Sequence, residues 1–334
     1  LYSLFVPPSG PSDNVIYGWS TRTACVASKL GGAAARRSLG HRWQTHFAAQ
    51  QVDVVVAHFG SLPATVAVEA VGNIPLLISL HAHDIYVNQQ HLSDNLAAAH
   101  TVVTCTHANL AYLREHYPEQ SGKLHLIYHG LPADWLALPP PERKRSPDEP
   151  LRLLAVGRLV KKKGFSVLLD ACALLRKEGI PFQARIIGDG PLRRKLEKQW
   201  WGSQLEDNVR LHDWASQEEV RAAYAWADVF CCPSVITDDG DRDGLPNVLV
   251  EAMSTGLAVV GSRLSAIPEA IEDNVTGLLT PPGDAEQLAA TLARCADPTL
   301  RWRLGVNAAR HIREHFDGAH WLEQLEYLLR HCKK

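Results

Sequence analysis

Short, nearly uninterrupted apolar runs alternate with longer stretches of helical character along most of this chain, and this alternation restricts the fold more than any other feature. Leu151–Val156 and Val229–Cys232 are two such runs. A strand with one face in water would alternate apolar and polar residues, so strands without that alternation are expected to be buried on both faces. The pattern predicts an α/β fold in which helices cover both faces of parallel sheets.

The same reasoning assigns elements to both halves of the chain. Strands are predicted at residues 52–57, 75–80, 101–104 and 124–127, and then at 151–156, 183–187, 209–211, 229–232, 258–261 and 277–279. Helices are predicted at residues 21–50, 62–71, 92–99 and 107–116, and then at 164–178, 192–199, 217–226, 246–254, 267–271, 284–294 and 317–334.

A break between two domains is predicted at residues 138–150. This segment contains five prolines and six charged residues, which stiffen the backbone and leave little apolar surface to bury. We therefore predict a first domain over residues 1–137 and a second over 151–316, followed by the helix at 317–334. Because the chain begins with Leu1 and residues 1–6 already resemble a strand, the first domain is expected to be incomplete at its N-terminus.

Composition narrows the function classes. The 334 residues carry a formal net charge of -2, whereas a nucleic-acid-binding protein usually has a clear basic excess, so no nucleic-acid partner is expected. No run of about 18 consecutive apolar residues is present, and no membrane-spanning helix is predicted. The seven cysteines include no CxxC pair, and Cys231 and Cys232 lie inside an apolar run. Buried reduced thiols fit this pattern and favour a cytoplasmic compartment.

A basic turn opens the second domain. Gly157 and Arg158 follow the strand predicted at residues 151–156, and Lys163 and Gly164 precede a predicted helix. Glycines let the backbone approach an anion, a helix N-terminus supplies free N–H groups, and Arg158 and Lys163 can neutralise a phosphate. A solvated surface turn would carry the same residues, so this turn alone leaves both interpretations open.

A second turn and a later acidic segment point to the same ligand. Gly188 and Asp189 follow a predicted strand, and ligands of open α/β sheets bind beyond the carboxyl ends of strands. Asp243 precedes the predicted helix at 246–254, and Glu251 lies about two turns along that helix, among apolar residues. Both carboxylates could accept hydrogen bonds from sugar hydroxyls. The structural alternative is helix capping by Asp241 or Asp243, with Glu251 on the surface.

Taken in order, several motifs of the second domain resemble glycosyltransferase family 4. They are GRLxxxKG, IIGDGP, PS, an acidic residue eight positions before a glutamate within GLPxxLxEAMxxG, IPE and NVTGLL. The resemblance covers the second domain, about half of the chain. It implies the GT-B fold, in which two Rossmann-like domains face each other, an acceptor-side domain first and a nucleotide-sugar-binding domain second. By the same resemblance, the helix at 317–334 packs back on the first domain.

The resemblance also assigns roles in the second domain. Arg158 and Lys163 match the diphosphate ligands of the family, and Glu251 matches the glutamate that holds the nucleotide ribose. Asp243 matches a glutamate that contacts the donor sugar, but its side chain is one methylene shorter, which leaves the identity of the sugar open. The other donor-binding residues implied are Gly157, Gly188, Asp189, Gly244, Leu245, Pro246, Asn247 and Val248.

In the first domain, the residues that follow the strand predicted at 75–80 resemble a turn that the family places at its cleft. His81 matches a histidine that reaches toward the donor sugar, and Asp84 matches the acidic residue after it. His58, His83 and Asp84 are placed on the acceptor side. A histidine at a strand end is often only a satisfied polar residue, and this interpretation stays open for His58. The glycine-rich loop that the family has after its first strand is not found at residues 7–12, so it is expected before residue 1.

The implied function is transfer of a sugar from a nucleotide-diphosphate sugar to a glycan, lipid-linked or small-molecule acceptor, with retention of anomeric configuration. Arg158, Lys163, His81 and Asp243 are the catalytic candidates. No metal or other cofactor is expected, because the cationic side chains and helix amides can stabilise the leaving diphosphate. Family habit adds polysaccharide biosynthesis and a peripheral position at the inner face of the membrane, and leaves the oligomeric state open.

Three other functions remain open from the sequence alone. A non-catalytic nucleotide-sugar-binding subunit would fit an incomplete first domain, and a sugar-nucleotide epimerase would use the same two-domain fold without an acceptor. A metal-dependent hydrolase built on a TIM barrel could use His81 and His83 as an HxH ligand pair. HxH pairs are weak motifs in a chain with sixteen histidines, and a barrel would not predict the proline-rich break.

Overall fold

The computed structural model describes residues 16–19, 32–137 and 149–332. The chain divides into two compact units: one reaches to Tyr128 and resumes at Leu322, and the other is His129–Trp321. The strand predicted at residues 1–6 and most of the linker predicted at 138–150 lie outside the described residues. The predicted domain boundaries therefore stay predictions.

The first unit contains a parallel sheet of five strands in the order β1-β2-β3-β4-β5. Its strands are β1 (Ile16–Trp19), β2 (Val54–His58), β3 (Leu76–Leu80), β4 (Thr101–Thr104) and β5 (Leu124–Leu126). Its helices are α1 (Gly32–Ala49), α2 (Leu62–Val71), α3 (Ala82–Tyr86), α4 (Leu92–Ala98) and α5 (His107–His116), with a 3-10 helix at Pro118–Lys123. Sequence analysis did not predict β1 or α3.

The second unit contains a parallel sheet of six strands in the order β11-β10-β9-β6-β7-β8. Its strands are β6 (Leu151–Val156), β7 (Phe182–Ile187), β8 (Val209–His212), β9 (Val229–Cys232), β10 (Ala258–Ser262) and β11 (Leu278–Thr280). Its helices are α6 (Ala133–Leu136), α7 (Phe165–Lys177), α8 (Arg193–Gly202), α9 (Gln217–Trp226), α10 (Asn247–Ser254), α11 (Ile267–Ala270), α12 (Ala285–Arg294) and α13 (Pro298–His315), with a 3-10 helix at Lys161–Lys163. The last helix, α14 (Gly318–His331), begins in this unit and ends in the first, where the Thr101 hydroxyl donates to Cys332 Sγ at 3.4 Å.

The continuous apolar strands are buried, as the sequence predicts. All four residues of β9 are buried, and so are Val54–Ala57 of β2, because helices cover both faces of each sheet. The buried thiols of Cys172 and Cys295 lie in the hydrophobic core of the second unit. Desolvation raises the pKa of Cys172 and of Cys295 to about 12, so these thiols stay protonated and unreactive near neutral pH.

One fold that was considered as an alternative is not found among the described residues, and one long helix was not predicted. The parallel strands form two open sheets, so the closed barrel required by the hydrolase alternative is absent from the described residues. Sequence analysis also missed α13, whose apolar positions are interrupted by arginines and by Gly305. The structure explains this glycine: a Cβ atom there would lie 2.1 Å from the carbonyl oxygen of Gly256, so only glycine lets α13 approach so closely.

Gly164 joins the basic turn to α7 with φ at +66°, and it lies against the loop that follows β9. A Cβ atom there would lie 1.7 Å from the carbonyl oxygen of Pro233. Gly179 is a matched control with φ at +72° and open space around its Cα. We expect Gly179→Ala to cost about 1–2 kcal/mol for the left-handed backbone alone, and Gly164→Ala to cost clearly more. Urea unfolding of both variants measures the difference, and equal costs would contradict the close approach.

Candidate active site

The strand order of the second unit locates a crevice at the carboxyl ends of β6 and β9. From β6 the chain adds β7 and β8 on one side, and it then returns to add β9, β10 and β11 on the other. Loops after adjacent strands that lead in opposite directions leave a gap between them, which is where open α/β sheets bind ligands. The two loops are the basic turn after Val156 and the acidic segment after Cys232, both singled out by the sequence.

Three lysine–aspartate ion pairs join these two loops. Lys161 pairs with Asp238, Lys162 Nζ lies 2.9 Å from Asp241 Oδ1, and Lys163 Nζ lies 3.0 Å from Asp243 Oδ2. The Val235 N–H also donates to the carbonyl oxygen of Lys162 at 2.8 Å. The sequence suggested the two loops separately, and the structure brings Lys163 and Asp243 together.

Asp243 is held on both sides and does not cap a helix. The Ser234 hydroxyl donates to Asp243 Oδ2 at 2.9 Å, the same oxygen that faces Lys163, and Asp243 is only 8% exposed. Pro246 is the N-terminal cap residue of α10, so the capping alternative for Asp243 is wrong. Asp241, the other capping candidate, is paired with Lys162.

Arg158 and the glycine turns lie just beyond the carboxyl ends of β6 and β7. The Arg158 side chain is exposed and has no hydrogen-bond or ion-pair partner among the described residues. The Leu159 N–H donates to the Asp189 carbonyl oxygen at 2.9 Å, and the Gly190 N–H donates to Asp189 Oδ1 at 2.7 Å. A Cβ atom on Gly188 would lie 1.9 Å from the Gly157 carbonyl oxygen, so glycine allows the two turns to touch.

The start of α10 supplies backbone donors next to the ion pairs. Gly244, Leu245 and Pro246 connect Asp243 to the helix, whose first residues are Asn247 and Val248. The first N–H groups of a helix have no partner within it and carry a partial positive charge. Because the helix begins within four residues of Asp243, these N–H groups and the Lys163 ammonium can serve one anion.

Glu251 lies inside the protein, contrary to the surface alternative. It is 7% exposed, and its Oε2 atom accepts a hydrogen bond from the Tyr224 hydroxyl at 3.0 Å. Burial raises the pKa of Glu251, while the Tyr224 hydrogen bond and the charge of Arg221 oppose that rise. A buried carboxylate with one neutral donor retains lone pairs for a polar ligand.

In the first unit, His58 lies at the carboxyl end of β2, and His81, His83 and Asp84 follow the carboxyl end of the adjacent strand β3. The centres of the Phe59 and His81 rings lie 4.9 Å apart, and the backbone N–H of His81 donates to Asp84 Oδ2 at 3.1 Å. Burial raises the pKa of Asp84, and the backbone donors of His81 and Gly60 oppose this. Burial lowers the pKa of His58, which favours a neutral ring at pH 7, whereas the His83 side chain is exposed.

A hollow of about 330 Å³ at the carboxyl ends of β7 and β8 was not predicted from the sequence. Arg185, His212, Trp214 and Glu219 are among the residues that line it. Trp214 is 77% exposed, which is unusual for an indole and could have drawn attention to this loop. Burial, followed by the nearby arginines, lowers the pKa of His212.

Comparisons with known proteins match both halves of the chain to one kind of enzyme. Residues 150–297 match the family described as "Glycosyl transferases group 1", and residues 10–135 match "Glycosyltransferase Family 4". Both halves of the chain therefore match glycosyltransferase models, the first half that of family 4. Among the described residues, no helix combines the length and apolar character needed to cross a membrane.

Curated relatives share part of the chain. The amylovoran biosynthesis glycosyltransferase AmsK of Erwinia amylovora is 47% identical over 146 residues, 44% of this chain and 36% of the relative. The "Putative colanic acid biosynthesis glycosyltransferase WcaL" of Escherichia coli is 42% identical over 153 residues, 46% of this chain and 38% of the relative. These alignments thus span well under half of either relative.

Solved structures share the fold over most of the chain. Sucrose-phosphate synthase from Thermosynechococcus elongatus has a TM-score of 0.74 at 23% identity, covering 89% of this chain and 78% of that one. Anabaena HepE, solved with UDP and glucose, has a TM-score of 0.71 at 22% identity, covering 87% and 80%. Both comparisons agree with the GT-B architecture that the sequence motifs imply.

The buried Glu251 generates a prediction about stability and pH. Its pKa in the folded protein is raised above the unfolded value, so ionised Glu251 destabilises the fold at neutral pH. This effect shrinks as the pH falls below the folded-state pKa and vanishes below the unfolded-state pKa. We expect Glu251→Gln to melt no lower than the wild type at pH 7, with its relative advantage shrinking on acidification. Thermal melts from pH 4.5 to 8 measure this. The exposed Glu323→Gln is the control, and a Glu251→Gln variant that is less stable at pH 7 than at pH 5, relative to wild type, would contradict the linkage.

Proposed function

We propose that this protein transfers a sugar from a nucleoside diphosphate sugar to an acceptor hydroxyl. The observation that carries the proposal is the meeting of Lys163, Asp243 and the start of α10 at the crevice between β6 and β9. An ammonium group and free helix amides in one place suit a diphosphate leaving group. The relatives and solved structures described above support the same class of reaction.

In this reaction the bond between the anomeric carbon and the diphosphate oxygen breaks, and a bond from that carbon to the acceptor oxygen forms. The diphosphate leaves with the bonding electrons, and its departing oxygen takes up the proton that the acceptor hydroxyl loses. Lys163 stabilises the growing negative charge, with Arg158 and the N–H groups of Asn247 and Val248. Lys163 is already fixed by Asp243, so little reorganisation is needed when the phosphate arrives.

We also propose that the reaction needs no metal cofactor. Asp241 and Asp243 would be the acidic pair for a cation, but each is paired with a lysine at 2.9–3.0 Å. Positive charge for the diphosphate then comes from side chains and helix amides. Transfer that is unchanged by EDTA would agree with this, and strict dependence on an added divalent ion would contradict it.

Further donor contacts are proposed for the rest of the unit. Glu251, which keeps free lone pairs, accepts hydrogen bonds from the ribose hydroxyls. Turn residues Gly157, Gly188 and Asp189 border the diphosphate, and the hollow beside Trp214 accommodates the base, since it lies at the ends of the neighbouring strands. Solved structures of similar fold contain UDP, which makes a uridine donor the first to test.

Acceptor binding is proposed for the first unit. A neutral His58 can accept or donate one hydrogen bond, and His81, with Asp84 fixing its backbone, can contact a sugar hydroxyl. The exposed His83 is also proposed to contact the acceptor. Because relatives are named for amylovoran and colanic acid biosynthesis, we propose a growing polysaccharide or its lipid-linked precursor as the acceptor. Peripheral membrane association of the protein and retention of anomeric configuration in the product are further parts of the proposal.

The assigned role of Lys163 gives a direct test of the reaction. We expect Lys163→Met to lower transfer by about 10²–10³-fold, since one preorganised charge on the leaving group is removed. Arg158→Ala should lower transfer as well. Lys162→Met is the matched control, because Lys162 makes the same kind of ion pair one residue away, and it should keep transfer within about threefold.

The measurement is release of nucleoside diphosphate in the presence of acceptor, with folding checked by thermal melts. Near-normal transfer by both Lys163→Met and Arg158→Ala would contradict the proposal. Donor binding without any turnover would instead favour a non-catalytic subunit, and isomerised donor formed without acceptor would favour an epimerase.

A further inference from the structure

The short helix α6 is fixed in the second unit by two side chains from neighbouring helices. Trp135 is completely buried, and the guanidinium of Arg221 lies 4.3 Å from the centre of its ring. Arg221 also forms an ion pair with Asp134 in the same short helix. From α13, Arg313 Nε donates to the Leu136 carbonyl oxygen at 2.9 Å. Three contacts from other helices therefore hold the four residues of α6 in place.

Tyr224 connects this helix to α10. Its ring meets the ring of Trp135 edge-on, with centres 6.0 Å apart and an interplanar angle of 71°. Its hydroxyl oxygen lies 3.0 Å from Glu251 Oε2 and 3.1 Å from the Val248 carbonyl oxygen. A tyrosine hydroxyl has one proton, so it donates to one of these acceptors at a time, and both lie on α10 one turn apart.

We infer that Trp135 and Arg221 are positioning residues for the nucleotide site: Arg221 holds Trp135, Trp135 holds Tyr224, and Tyr224 holds the carboxylate of Glu251. The inference rests on the proposed role of Glu251 as a ribose ligand. Trp135 fixes the plane of the Tyr224 ring by an edge contact, and Arg221 lies one turn before Tyr224 on α9 while it holds α6 in place. The orientation of a buried carboxylate thus depends on a helix just before the predicted linker.

Ordinary core packing explains the burial of Trp135 but not this set of contacts. A core role needs only apolar volume, whereas Trp135 has a cation above its ring and an aromatic edge against it. The Tyr224 hydroxyl would be costly to bury without acceptors, and one of its two acceptors is the side chain proposed to contact the ligand. The two roles predict different behaviour when Glu251 is changed, and this difference can be measured.

The test is a double-mutant cycle on nucleotide binding with the full chain. Calorimetry with UDP, GDP, ADP and dTDP first identifies which diphosphate binds the wild type. For that diphosphate we expect Tyr224→Phe to raise Kd about tenfold, close to the effect of one hydrogen bond, and Trp135→Leu to raise it about three- to tenfold. In the Glu251→Gln background, both substitutions should have less than a twofold further effect.

The control separates positioning from loss of stability. Trp200→Leu removes another tryptophan that packs against the core of the same unit, and it should lower the melting temperature without changing Kd. Tyr224→Phe keeps the ring and should melt within a few degrees of the wild type. Folded fractions are measured by melting before each titration.

Three results are distinguishable. If the wild type binds none of the four diphosphates, the proposed function fails and the inference with it. If the wild type binds one but Tyr224→Phe and Trp135→Leu leave Kd unchanged, the inference alone is overturned. It is also overturned if the effects of these substitutions are fully additive with Glu251→Gln, because positioning through Glu251 requires non-additive effects.

Discussion

The ion pair between Lys163 and Asp243 is the interaction on which the second unit's site depends. It joins the loop after β6 to the loop after β9, across the point where the strand order reverses. The side chains of the three pairs become progressively less exposed along this series, from 59% and 93% for Lys161 and Asp238 to 19% and 9% for Lys163 and Asp243. Exposed pairs contribute little because water and salt screen them, so the innermost pair holds the loops most firmly.

Buried carboxylates occur in both units beside the residues proposed to act on substrate. Desolvation raises the pKa of Glu251 in one unit and of Asp84 in the other, and each carboxylate accepts from a nearby donor. An apolar residue at either position would avoid this desolvation. Groups with perturbed pKa at strand ends and helix starts are typical of functional sites, where stability is given up for fixed geometry. The same tension applies to Tyr224, whose hydroxyl is buried to serve two acceptors on α10.

Local pattern was enough to locate most elements of the fold. Predicted bounds coincide with the structure at β4, β6 and β9 and at α2, α5 and α9, because these elements combine continuous or periodic apolar residues with clear ends. Pattern failed at α13, where Gly305 and the arginines interrupt the apolar repeat and the need for glycine comes from Gly256 across the packing interface. It also failed at α6, a four-residue helix too short to show a period. Both misses arise from contacts between segments far apart in the chain.

By itself, the sequence determined the α/β class, the order of the motifs and the residue types of the two loops at the crevice, since each of these is encoded locally by spacing and composition. Tertiary structure alone decided which of those residues meet. It paired Lys163 with Asp243, left Arg158 exposed, buried Glu251 under Tyr224, and added Trp214 and Trp135 to the residues of interest. The physical reason is that ion pairs and buried hydrogen bonds depend on distances between loops, and those distances are set by how parallel strands are ordered in the sheet.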